Sequence, residues 1–116
     1  MPVLIWLILL ADALLGREPI RRTAEEQARV DRGTAALRLY HFAACPYCRK
    51  VRRDVRLMGL KIEMADIKRD PAAKAALVAG GGKKRVPALR IEEPSGVRWL
   101  YESRDISRYL RERFAE

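Results

Sequence analysis

At 116 residues the chain is long enough for one domain with a real core and too short for two. Apolar residues make up 49% and charged residues 34%, which excludes a disordered tail and a uniformly hydrophobic protein alike. The formal net charge of +9 points to anionic partners, and the two cysteines, both in one short motif, exclude a disulfide-stapled scaffold.

Residues 3–15 are almost wholly apolar, interrupted by Asp12, and fall short of the roughly 20 apolar residues of a spanning helix. The charged start of a secretory signal is missing. Arg17, Arg21 and Arg22 follow, a bias that would keep the next domain cytoplasmic. The apolar segment 1–16 is therefore expected to hold the protein at the cytoplasmic face of a membrane. An extra helix packed on the domain or a partner, and a cleaved signal, are the alternatives. Residues 17–36, rich in Arg, Glu, Gln and Ala, read as a polar helical linker with a Thr23/Glu26 capping box.

The pattern changes at Leu37, where a domain spanning 37–116 begins. Residues 37–42 read as a strand, and 46–58 as a helix with Val51, Val55 and Met58 on one face. A second strand is expected at 61–65, then a helix from Pro71 to Ala79 that Gly80 would end. Strands at 87–92 and 97–101 flank Pro94-Ser95-Gly96, a hairpin turn, and a last helix runs from Ser103 to Phe114. The order βαβ, α, ββα implies a parallel pair with a right-handed crossover, followed by an antiparallel hairpin. The expected class is α/β: a four-stranded mixed sheet with helices on both faces and an N-terminal helical extension.

Cys45-Pro46-Tyr47-Cys48 falls where the first strand of this domain turns into its first helix. Pro46 suits the first helical position, where its missing N–H costs nothing. Cys45 then takes the N-cap, facing free backbone N–H groups and the positive end of the helix dipole, surroundings that favour a thiolate. Cys48 lies one turn deeper, within reach of a disulfide. A thiolate can attack a disulfide and its neighbour can resolve the mixed intermediate. Zinc or an iron–sulfur cluster is the rival use of the pair. Zinc wants four ligands, and the chain offers no third cysteine and only one histidine, His41. No metal is therefore expected. A merely structural pair is the remaining alternative.

Residues 37–116 resemble a glutaredoxin, a member of the thioredoxin superfamily, and their second half resembles the N-terminal domain of glutathione S-transferases. Three motifs carry the resemblance: Cys45-Pro46-Tyr47-Cys48, the Val86-Pro87 pair at the place of the superfamily's cis-proline, and Tyr101-Glu102-Ser103 opening the last helix. The resemblance implies a thioredoxin-like fold and a glutathione-dependent thiol–disulfide oxidoreductase. Cys45 would be the nucleophile and Cys48 the resolving thiol. Tyr47, Val86, Pro87, Glu102 and Ser103 would bind glutathione: Val86 by its backbone, Glu102 at the γ-glutamyl ammonium, Ser103 at the γ-glutamyl carboxylate. Glutathione would be co-substrate, and glutathionylated or disulfide-containing proteins the partners. The bland alternatives are a helix cap for Ser103, a solvated turn residue for Glu102 and an ordinary strand-edge proline for Pro87. Phe42 stands where many glutaredoxins have Lys, which leaves the glycine-carboxylate contact to Arg38, Arg49, Lys84 or Arg85. The alternative function is a binding module for glutathione or an iron–sulfur cluster, tethered to a membrane and without fast turnover.

His41 is expected to be a packed or edge histidine, and Gly80-Gly81-Gly82 a flexible loop beside the site. The arginines come without a stacking motif or recognition helix, so no nucleic-acid partner is expected.

Overall fold

A computed structural model describes residues 20–114. The apolar segment 1–16 and its expected membrane role lie outside the described residues. The elements are α1 (Ala24–Thr34), β1 (Leu37–His41), α2 (Pro46–Leu57), β2 (Glu63–Asp66), α3 (Pro71–Gly81), β3 (Ala88–Glu93), β4 (Gly96–Leu100) and α4 (Ser103–Phe114).

The four strands form one sheet in the order β2-β1-β3-β4. β1 and β2 are parallel, and β3 is antiparallel to both β1 and β4. This is the mixed sheet that the element order implies, with a thioredoxin-like arrangement of helices on both faces. Side chains alternate along each strand. Leu37 and Leu39 of β1 and Leu89 and Ile91 of β3 therefore face the same way, into the main core. There they meet Val51 and Val55 of α2 and Ile106, Leu110 and Phe114 of α4. Tyr40 and Ala88 point to the opposite face, where Ala73 and Leu77 of α3 cover them.

α1 begins with the expected capping box: Thr23 accepts from Glu26 N–H, and the Glu26 carboxylate accepts from Thr23 N–H. Val30 of this helix is buried in the main core. Just ahead of it, Arg22 donates to the Phe114 carbonyl at 2.7 Å and to the Met58 carbonyl, so one guanidinium caps the C-terminal ends of α4 and α2.

The strand expected at 61–65 forms at Glu63–Asp66 and most other ends move by a residue, while the end of α3 differs for a packing reason. Gly80 does not end α3; the helix runs through Gly81, and Gly82 caps it in the left-handed region at φ 76°. Gly80 and Gly81 are thus helical and not the flexible loop expected, and the rings of Trp99 and Tyr101 lie against them, which excludes a side chain at either position. A Cβ on Gly80 would stand 2.9 Å from the Trp99 ring, and one on Gly81 would collide with the Tyr101 hydroxyl. That hydroxyl instead donates to the Gly81 carbonyl at 2.7 Å.

Candidate functional site

The sheet register gathers the three motifs at one end. Tyr40 pairs with Ala88 and Leu89 with Leu100, so β1 leaves the sheet where β3 enters it and β4 leaves it. The Cys45 loop, the Val86-Pro87 segment and Glu102-Ser103 therefore share that end. The Val86–Pro87 peptide bond is cis, and Pro87 is buried. Phe42 and Val86 both pack against the Tyr40–Leu77 cluster on the α3 face.

Cys45 is the N-cap of α2 with extended backbone, and Pro46 opens the helix. The Cys48 N–H donates to Cys45 Sγ at 3.3 Å, aiming a helix-terminal donor at the sulfur. Both cysteines are free thiols. Both are buried, but Cys45 keeps 6% of its surface exposed and Cys48 none. Burial, with a hydrogen bond to Cys45, pushes the Cys48 thiol up to about 12.

Arg52 holds the loop that presents Cys45. It lies one turn past Cys48 on α2 and donates to the carbonyls of Phe42 at 3.2 Å and Ala43 at 3.0 Å. Its guanidinium also meets His41 Nδ1 at 3.1 Å. Burial and then Arg52 lower the His41 pKa, leaving a neutral ring that accepts from Arg52. His41 is thus the packed histidine expected, now with a partner. Arg52 was legible only as one more positive charge. Its spacing of four residues from Cys48, on the buried side of an otherwise charged helix, was the available signal.

On the other rim, Glu102 and Ser103 meet Tyr47 along a groove of ≈ 790 Å³ between α2 and α4. Tyr47 is 60% exposed there, with the Lys50 ammonium over its ring. The Glu102 carbonyl accepts from Ile106 N–H at 2.9 Å, so Glu102 stands at the cap and Ser103 is the first helical residue, not the N-cap. The Ser103 backbone N–H is consequently one of the free donors at the start of α4. Arg85, which the sequence offered only as a spare charge, pairs with the Glu102 carboxylate and ties the loop before Pro87 to the α4 N-terminus.

Beside Phe42 a cation comes from a residue that the sequence did not single out. Lys68, in the turn after β2, places its ammonium 4.4 Å from the Phe42 ring centroid. Arg38 points elsewhere, toward Glu63 and Tyr40. Lys68, Lys74 and Lys84 line one pocket, and the Lys84 pKa is lowered chiefly by its contact with Lys74.

A profile described as "Glutathione S-transferase, N-terminal domain" matches residues 39–116. The chain belongs to this family. Its fold places it in the thioredoxin superfamily. Among solved structures, maleylacetoacetate isomerase from Anaeromyxobacter dehalogenans, with dicarboxyethyl glutathione and citrate in its active site, is 30% identical. That match has a TM-score of 0.54 and covers 70% of this chain and 38% of the isomerase. A trimeric glutathione transferase from Leishmania is 25% identical at a TM-score of 0.56, covering 69% of this chain and 18% of the transferase. Glutathione transferase Omega 3C from Trametes versicolor, at 21% identity and a TM-score of 0.56 over 84% of this chain and 42% of the transferase, shares the fold. The chain spans less than half the length of each of these proteins. No curated protein matches it.

Proposed function

We propose that the protein is a glutathione-dependent thiol–disulfide oxidoreductase of the glutaredoxin type, with Cys45 as nucleophile and Cys48 as resolving thiol. The observation that carries this reading is the asymmetric pair at the start of α2: Cys45 keeps 6% of its surface exposed and its sulfur accepts from a backbone N–H, while Cys48 behind it is fully buried. Family membership supports glutathione as the ligand.

With a glutathionylated protein, the Cys45 thiolate attacks the glutathione sulfur and the protein leaves as a thiolate. A free glutathione thiolate then attacks the glutathione sulfur on Cys45. Glutathione disulfide leaves and Cys45 is a thiolate again. With a protein disulfide, Cys45 attacks one sulfur and expels the other. Cys48 then attacks Cys45 Sγ, releasing the second protein thiolate and closing the Cys45–Cys48 disulfide. Two glutathiones reopen it, leaving as glutathione disulfide, so electrons balance on both routes.

For glutathione itself, the reading uses the Val86 backbone for the cysteinyl part, the free donors at Ser103 for the γ-glutamyl carboxylate, and Glu102 for the ammonium. Lys68 beside Phe42 supplies a cation for the glycine carboxylate. Cytoplasmic location, with segment 1–16 on a membrane surface, belongs to the same proposal. A coupled assay with glutathione and a glutathionylated peptide tests it. Glu102→Ala with Ser103→Ala should raise the KM for glutathione while changing kcat little, because these contacts are remote from the sulfur. Unchanged glutathione kinetics in the double variant would move the binding site elsewhere.

A further inference from the structure

The groove that begins at Tyr47 continues well past the glutathione residues. α2 contributes Lys50 and Arg53 to one wall, and α4 contributes Arg104, Arg108 and Arg111 to the other. The spacings of three and four residues put each set on a single helix face. All five side chains are exposed. Arg108 is paired with Asp105, but Lys50, Arg53, Arg104 and Arg111 meet no carboxylate among the described residues. Nothing in the thiol chemistry proposed above uses Arg53 or Arg111. From Ser103 to Arg111 the wall is about 12 Å long at 1.5 Å per residue. That accommodates roughly four residues of extended chain.

We propose that this basic groove docks an acidic segment of the protein whose disulfide Cys45 attacks. The inference rests on the thiol–disulfide reading and names the substrate class for it: disulfide-bearing proteins with a run of Asp and Glu close to the reactive cysteine. A peptide fits better than a nucleic acid or a lipid surface. The groove is a cleft between two helices, not a flat face. Asp54, Glu102 and Asp105 also stand among its cations, and these repel a continuous phosphate backbone while leaving single carboxylates room to pair. Its Tyr47 end lies at the same helix terminus as Cys45, so a chain lying in it emerges beside the thiol.

The test uses three peptides, each joined to its own copy by one intermolecular disulfide, with the cysteine flanked by acidic, neutral or basic residues. Exposed ion pairs are individually weak, so several together are expected to favour the acidic peptide by about tenfold in kcat/KM at low salt. High salt and the double variant Arg53→Glu/Arg111→Glu should each bring the ratio to within about twofold. The variant should reduce hydroxyethyl disulfide as the wild type does and keep the wild-type circular dichroism. A cysteine-free acidic peptide should bind the wild type but not the variant, read by fluorescence anisotropy. Equal rates for the three peptides, with hydroxyethyl disulfide still reduced, would overturn this inference and leave the redox reading standing. No turnover of any disulfide would instead remove the redox reading, while anisotropy would still report on the groove. Binding of a short DNA duplex or of anionic vesicles in preference to the acidic peptide would also overturn it.

Discussion

Cys45 and Cys48 share one helical turn, both buried, with 6% of Cys45 and none of Cys48 left exposed, and the proposed order of action rests on that difference. The raised pKa of Cys48, about 12, comes first from burial and then from the hydrogen bond with Cys45. Once Cys45 is tied up in a mixed disulfide its sulfur no longer bears a competing charge, but the burial remains. Cys48 therefore stays protonated near neutrality, and the thiolate it needs grows with pH. The resolution step with a protein disulfide should accelerate by about tenfold per pH unit between roughly pH 6 and 9. Stopped-flow measurement of that step checks it; a flat profile would mean that Cys48 is already ionised. A second prediction concerns Arg52, a positioning residue bonded to the carbonyls of Phe42 and Ala43. Arg52→Ala should lower kcat/KM for a glutathionylated peptide by about tenfold or more through misplacement of the thiol loop. Arg52→Lys, which restores one donor but not the fork, should recover only part of it. Full activity in Arg52→Ala would show that the loop holds its own shape.

Among the elements, the join between α3 and the hairpin β3–β4 is the most sequence-specific. Trp99 stacks with Tyr101 and tilts against Tyr40, and both hairpin rings need the bare backbone of Gly80 and Gly81. Gly81→Ala should cost about 1–3 kcal/mol by overpacking. For a domain of this size each kcal/mol lowers Tm by about 4–8 °C. The change should be accompanied by altered near-UV circular dichroism as Trp99 shifts. A Gly81→Ala protein as stable as the wild type would mean that the rings move aside freely. The glycine run shows which parts of the molecule were legible in sequence. Alternation in Leu37-Arg38-Leu39 and the Val51/Val55 spacing report local periodicity, so strands and helices were readable to within a residue or two. Gly80 read as a helix stop because glycine commonly is one, and nothing local reveals that Trp99, nineteen residues on, requires it inside the helix. Long-range side-chain partners explain the other unread features: Arg22 bridging two helix ends, Arg85 reaching Glu102, Lys68 reaching Phe42. The cysteine pair and Glu102-Ser103 were readable because each motif places its own side chain at a helix start.

For the whole molecule, the described chain from Ile20 onward is tied into the domain. Ile20 N–H donates to the Leu57 carbonyl at 2.7 Å, and Arg22 follows with its two caps. A truncation that removes residues 1–19 should therefore keep full thiol activity. If segment 1–16 is the membrane anchor proposed, the full chain should pellet with membranes and the truncated chain should not. A full-length monomer in the soluble fraction would sink the anchor and favour a helix packed on the domain. The central claim, that Cys45 is the nucleophile of a glutathione-dependent reductase, is tested most directly by turnover of a glutathionylated peptide in the two single-cysteine variants, with mass spectrometry of the enzyme. Cys48→Ser should keep much of the activity and carry one glutathione on Cys45, since free glutathione can resolve that disulfide. Cys45→Ser should be inactive and carry none. Equal loss of activity in both variants, or a glutathione adduct on Cys48, would contradict the account.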